Sequence, residues 1–330
     1  MNQFWKDMGI AVVMGLLVPT ILLSAVVAIA ADKQAGTEKM EEAVQSTALP
    51  SVTETQPSAV LLTVLDDNGE VRDMELHDYL TCVVLAEMPV SFADEALKAQ
   101  SVVARTYVIR ALEGASKHEN AAVCTDSGCC QGYMAAEIYL QKGGKEQDVL
   151  RIRKLVDSTT GQVLTYDGNL IEATYFSCSG GATEDAVAVW GTDVPYLQSV
   201  ESPGEEHATH YTDTVTFSPE AFASKLGISL IGSPKAWIGK TTYTDGGGVD
   251  TIMIGNTAFF GTQLRKLLGL RSTAFEIEAA KDTITITTHG FGHRVGMSQY
   301  GADAMAESGS TYEEILTYYY QGTELARYTD

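Results

Sequence analysis

Four groups of residues in this chain have types and spacings that suit chemistry. Glu87 closes the apolar run Tyr79-Leu80-Thr81-Cys82-Val83-Val84-Leu85-Ala86 and stands directly before Met88-Pro89. Proline lacks a backbone donor and disfavours helix in the residue before it, so a helix through this run ends near Glu87. Most glutamates at helix ends are simply solvated. A carboxyl held at an apolar break loses water and keeps its proton more readily, which suits a general acid. The second group is His118, Cys124, Cys129 and Cys130, spaced His-x5-Cys-x4-Cys-Cys. Soft thiolates beside an imidazole suit zinc, although the spacing is not that of a standard finger. A Cys124 to Cys130 disulfide is the competing reading in an oxidising compartment. Ser177-Cys178-Ser179-Gly180-Gly181 forms the third group, where small hydroxyl residues and paired glycines let backbone amides approach a ligand, or merely end a strand tightly. In the fourth, Gly290, Gly292, Gly296 and Gly301 surround His293 and the polar run Ser298-Gln299-Tyr300. No βαβ unit with a following acidic residue supports a dinucleotide loop there, so His293 is read as lining a binding groove.

These groups need elements to hold them. Alternation and the Asp66-Asp67-Asn68-Gly69 turn predict strands over 59–65 and 71–76. A helix from about 77 to 87 is followed by a second starting near Ala93, with Ser91 as a candidate cap and Leu97, Val102, Val103, Tyr107 and Leu112 near one face. Ile171 to Phe176 and Thr283 to Thr288 read as strands leading into the serine-glycine and glycine-histidine groups. Between them, about 200–272 reads as an inserted α+β lobe. Phe217-Ser218-Pro219-Glu220 opens a helix there, 249–254 is a strand, and 260–268 is a helix closed by Gly269.

The run Ala86-Glu87-Met88-Pro89 followed by Leu97-Lys98-Ala99-Gln100-Ser101-Val102-Val103-Ala104-Arg105-Thr106-Tyr107 resembles the signature of the stage II sporulation protein D family. Two further blocks agree in order: Tyr175-Phe176-Ser177-Cys178-Ser179-Gly180-Gly181 with Trp190 and Pro195-Tyr196-Leu197, and Gly290-Phe291-Gly292-His293-Arg294-Val295-Gly296-Met297-Ser298-Gln299-Tyr300-Gly301-Ala302. The resemblance implies a peptidoglycan lytic transglycosylase of endospore formers, with Glu87 as its acid. Its implied substrate is denuded glycan, the strands from which a partner amidase has removed the stem peptides during engulfment. It implies substrate contacts by Gln100, Arg105 and Tyr107 of the first block, Ser177 and Ser179 of the second, and His293, Ser298, Gln299 and Tyr300 of the third. Cys124-x5-Cys130-Gln131-x-Tyr133 resembles a paired-cysteine block of the family, which selects Cys124, Cys130 and His118 as ligands of a structural zinc and leaves Cys129 spare. Arg294 departs from the glycine usual in the family and is read as a cation for the lactyl carboxylate of denuded muramic acid.

Composition frames the rest. The chain has 330 residues, with 22 Lys and Arg against 43 Asp and Glu and a formal net charge of -21. That charge repels the phosphate backbone and argues against nucleic acid as a partner. Met8 to Ala31 runs for 24 residues without a charge, enough for a helix to cross a bilayer. A cleavable signal peptide, with Ala28-Ile29-Ala30 as its cleavage site, is the competing reading. The expected organisation is a cytoplasmic stub at 1–7, a transmembrane helix at 8–31, a polar tether at 32–57 and an extracytoplasmic body at 58–330, and the resemblance implies that the membrane is that of the mother cell. That body is expected to be α+β, with two lobes and a glycan-binding groove between them.

Overall fold

The computed structural model describes residues 60–328, and the stub, span and tether expected at 1–57 lie outside them. Among the described residues, no helix is long and apolar enough to cross a membrane. The fold is mixed α+β, with several small sheets and two buried cores.

The first core begins with the antiparallel pair β1 (Leu61–Leu65) and β2 (Val71–Glu75). Asp66 shapes their turn by accepting the amides of Asn68 and Glu70 at 2.9 and 3.0 Å. Helix α1 (Leu76–Glu87) buries Leu76, Tyr79, Leu80, Val83 and Val84, the three-and-four spacing of one helical face. It stops where expected, because Met88 is extended (φ -124°, ψ 143°) ahead of Pro89. Helix α2 (Asp94–Arg110) is the centre of the core, packed between α1 and later helices with Leu97, Val102, Val103, Val108 and Ile109 fully buried. Ser91 does not cap it. The Ala93 amide instead donates to Asp303 at 2.8 Å, so a carboxylate from far along the chain meets the positive end of the helix.

Strand β3 (Val123–Cys124) pairs in parallel with β1. Helices α3 (Ala136–Gln141) and α4 (Glu146–Ser158) follow, then the hairpin β4 (Gln162–Tyr166) and β5 (Asn169–Leu170). The strand expected over 171–176 is reduced to β6 (Tyr175–Phe176), because the Ile171 amide returns to Leu164 and Thr174 turns back to Glu172. A short pair, β7 (Gly181–Ala182) and β8 (Glu201–Ser202), flanks helix α5 (Ala186–Trp190).

The second core is formed by β9 (Thr212–Phe217), α6 (Pro219–Leu226), the meander β10 (Ile238–Tyr243), β11 (Val249–Ile254) and β12 (Thr257–Phe260), helix α7 (Gly261–Leu268), and strands β13 (Ala274–Ala279) and β14 (Ile284–His289). Its buried apolar residues run from Phe222 to Ile286. Ser218 caps α6 by accepting the Ala221 amide, and Gly269, at φ +71°, ends α7. The chain then returns to the first core with β15 (Met297–Ser298), α8 (Gln299–Glu307), α9 (Tyr312–Tyr319) and β16 (Glu324–Arg327), which completes a sheet with β4.

Candidate active site and thiol cluster

Two short strands bring distant parts of the chain together. Strand β15 pairs in parallel with β6, joining Met297 to Tyr175 and Ser298 to Phe176. Beside them Cys178 and Phe291 exchange backbone hydrogen bonds of 3.2 and 2.7 Å. Glycine permits this approach, since a Cβ on Gly290 (φ +78°) would lie 2.5 Å from the Ser179 carbonyl oxygen. The serine-glycine and glycine-histidine segments are thereby fastened backbone to backbone.

Glu87, at the end of α1, faces this junction from a groove of about 760 Å³. The groove also contains Tyr107, Tyr175, Ser177, His293 and Gln299. The Gly132 amide donates to Glu87 Oε1 at 2.5 Å and the Tyr175 hydroxyl donates to the same oxygen at 3.0 Å. Gln299 Nε2 donates to Oε2 at 3.4 Å. Burial, then the Glu87 charge, raise Tyr175 far above the usual phenol range, so this hydroxyl keeps its proton and remains a donor. Gln131 donates in turn to the Tyr175 oxygen at 3.3 Å. A Cβ on residue 132 would lie 2.8 Å from Glu87 Oε1, so a larger residue there would push the carboxyl from its present position.

His293 packs its ring between Phe176 and Trp190, at centroid distances of 5.7 and 5.5 Å. Its Nδ1 accepts the Val295 amide at 3.1 Å, which leaves the ring proton on Nε2. Burial, then the nearby Arg265 charge, bring its pKa down to about 4, so the imidazole is neutral in ordinary buffers.

The other residues implied as substrate contacts lie away from the groove. Gln100 is fully buried in α2, and neither of its amide atoms has a partner among the described residues. Arg105 is also buried, and its guanidinium holds Thr159 and the carbonyls of Val156 and Gln162 at 3.1 to 3.3 Å. Ser179 gives its amide and hydroxyl to buried Glu205. Ser298 caps α8 by accepting the Gly301 amide at 3.2 Å. Tyr300 packs edge-on against Phe92 and His207.

Arg294 corrects the expectation of a cation for substrate. It is 1 % exposed at φ +67°, and its guanidinium donates to the carbonyls of Ser179, Ala182 and Gly246 and to Glu184 Oε1 at 3.0 Å. These bonds offset a backbone conformation that costs a residue with a Cβ about 1–2 kcal/mol. Burial is the main influence on Glu184 and raises its carboxyl, against the opposing pull of Arg294. Sequence reasoning missed the groove residues Lys117, Tyr175 and Arg265 and the Glu87 partner Gly132. Tyr175 and Gly132 adjoin recognised motifs, whereas Arg265 resembles any polar residue on an amphipathic helix.

The thiol cluster borders the groove. Ligand atoms of His118, Cys124, Cys129 and Cys130 all lie within 4.8 Å of one another. His118 Nε2 is 3.4 Å from the Cys130 sulfur and 3.7 Å from that of Cys129, and the two sulfurs are 4.0 Å apart. Ligand separations of about 3.8 Å follow from tetrahedral zinc–sulfur bonds, so one nitrogen and three sulfurs fit a metal that draws them slightly inward. Cys129, expected to be spare, joins the set. All five cysteines are free thiols. Burial raises Cys130, but bonds with Tyr107, the Cys124 backbone, His118 and the Cys124 thiol outweigh it and lower the thiol to about 7. Burial chiefly pushes Cys124 up to about 12. Gln131 and Gly132 follow this cluster directly, so the segment reaching Glu87 is tied at its root.

The family model described as "Stage II sporulation protein" matches residues 66–166, which include α1, α2 and the thiol cluster. The chain is 40 % identical over 335 residues to stage II sporulation protein D of Bacillus subtilis (strain 168), covering 99 % of this chain and 96 % of that protein. It is 39 % identical over 321 residues to the protein of the same name from Bacillus amyloliquefaciens, covering 94 % and 92 %. An amidase enhancer of Bacillus subtilis (strain 168) is 30 % identical over 299 residues, covering 74 % of this chain and 40 % of that protein. With about 40 % identity to two such proteins over nearly the whole chain, and with Glu87 of the first resembling segment bonded to Tyr175 of the second and Gln299 of the third, the chain belongs to the stage II sporulation protein D family.

Proposed function

We propose that the protein is a lytic transglycosylase that cleaves denuded peptidoglycan between N-acetylmuramic acid and N-acetylglucosamine during endospore formation. The observation that carries this reading is the placement of Glu87, one carboxyl fixed in an open groove by donors from three separate segments. Protonated Glu87 gives its proton to the bridging oxygen, the bond from muramic C1 to that oxygen breaks, and glucosamine leaves with a hydroxyl. The carboxylate, held by Tyr175, Gln299 and the Gly132 amide, then takes the proton from the muramic C6 hydroxyl as O6 closes onto C1. The product is a 1,6-anhydro sugar and no water is consumed. Ring closure within one sugar supplies its own nucleophile, whereas hydrolysis calls for a second carboxylate.

A metal bound by His118, Cys124, Cys129 and Cys130 would act as a clip on the loop that carries Gly132, and the proton transfers above need no metal-activated water. The apolar stretch at 8–31 anchors the protein in the mother-cell membrane with its body outside the cytoplasm. There it acts on strands left by a partner amidase within the engulfment machinery.

Two other readings have specific support. Glu172 also borders the groove, 3.9 Å from Arg110, and would be the second carboxylate of a hydrolase. The similarity to an amidase enhancer favours a wall-binding module without catalysis. Mass spectrometry of products from denuded glycan separates them. Anhydro ends support the transglycosylase, new reducing ends the hydrolase, and intact strands the binding module.

A further inference from the structure

Two side chains bordering the groove carry a permanent positive charge, Lys117 and Arg265. Lys117 is engaged: its ammonium donates to the Cys129 carbonyl and lies 5.7 Å from the Tyr107 ring centroid. Arg265 has no side-chain hydrogen bond or ion pair among the described residues, although its residue is half-buried and the chain carries a net charge of -21. A half-desolvated guanidinium with no partner in the protein keeps its five donors open to a ligand in the groove. Arg265 projects from α7 of the second core beside His293, and Trp190, 44 % exposed, flanks the same histidine. This combines an aromatic face with an anion-binding fork in one wall of the groove.

We propose that Arg265 binds the lactyl carboxylate of muramic acid and so selects strands from which the stem peptide has been removed. The inference rests on the glycan reading above. Along a strand of N-acetylated sugars, the hydroxyls and acetamido groups are neutral. The lactyl group on C3 of muramic acid is the one acidic position, and it is charged only when no peptide is amide-bonded to it. An arginine fork accepts a carboxylate through two parallel bonds, whereas an amide at the same place offers one neutral oxygen and no charge. Arg294, one residue beyond His293, cannot take this role because its donors are used within the protein.

The test measures binding, so that it stands apart from the chemistry. Short denuded strands, as free acids or as lactyl methylamides, are titrated into full-length Glu87→Gln protein and into the Glu87→Gln/Arg265→Gln double variant, with melting temperatures matched. The Glu87→Gln protein is expected to prefer the free acid by about tenfold or more, the usual scale for a charged hydrogen-bonded contact. Arg265→Gln should bring the ratio close to one, and Arg265→Lys should restore part of it, because a point charge replaces the fork. Equal binding of both strands by the Glu87→Gln protein, an unchanged preference in the double variant, or no binding of either strand overturns the proposal. The absence of anhydro products from the wild type overturns the catalytic reading, while the binding ratio still decides the role of Arg265.

Discussion

Glu87 and His293 illustrate two uses of burial at the level of single residues. Glu87 stays in reach of the groove and is oriented by donors. His293 packs against Phe176 and Trp190 in the groove wall, and desolvation together with Arg265 keeps it neutral. Its pKa of about 4 lies below the ordinary 6.5, so between these limits the unfolded chain binds a proton that the folded one does not. This contributes stability that is fully present above about pH 6.5 and is lost as the pH falls through 4, on the order of 3 kcal/mol. Urea unfolding at pH 7 and pH 4.5 should show a smaller acid loss for His293→Gln than for the wild type. Equal losses would mean that His293 protonates freely in the fold. The place of Glu87 at the end of α1 was legible in the sequence because Met88-Pro89 ends that helix. Ser179 and Ser298 were misleading, because a small hydroxyl beside glycine has the same local signature whether it binds a sugar, supports a buried carboxylate or caps a helix.

At the level of elements, the site depends on loops rooted in something rigid. The segment from Cys129 to Gly132 is the clearest case, with thiols and His118 at one end and the Glu87 contact at the other. A metal there is coupled to folding, because ligands gathered in the folded chain are dispersed in the unfolded one. Treatment of the reduced protein with a strong chelator should lower the melting temperature by about 5 °C or more, and Cys124→Ser should reproduce the loss. A melt unaffected by either would show that the cluster is held by packing alone. The helices and the β11 strand could be read from periodicity, proline and glycine. The parallel joining of β6 to β15 could not, since two-residue strands 122 positions apart leave no periodic trace.

For the whole molecule, the buried pair of Arg294 and Glu184 fastens the loop at Gly246, within the hairpin of the second core, to the glycine-rich segment of the first. The Thr244 hydroxyl also donates to Glu184 at 3.0 Å. Removing one partner leaves the other charge buried and uncompensated. Arg294→Met should therefore cost about 3–5 kcal/mol in denaturant unfolding, and adding Glu184→Gln should recover part of it. A loss below about 1 kcal/mol would show that the pair is not a structural tie. Sequence alone placed Arg294 in a glycine-rich loop and suggested a substrate cation. Its real partners lie 110 and 48 residues away in the chain, and only folding brings them together.

The central claim concerns one proton carrier, and glutamine is its closest inert replacement. Glu87→Gln keeps the side chain's size and its ability to accept from Gly132 and Tyr175, so the fold and glycan binding should persist. The amide cannot protonate the leaving oxygen or take the C6 proton. Release of 1,6-anhydro-muramic ends from denuded glycan should fall by at least about 10²- to 10⁴-fold in protein of matched thermal stability. Release at near the wild-type rate by folded Glu87→Gln protein would contradict the account and assign the acid to another group.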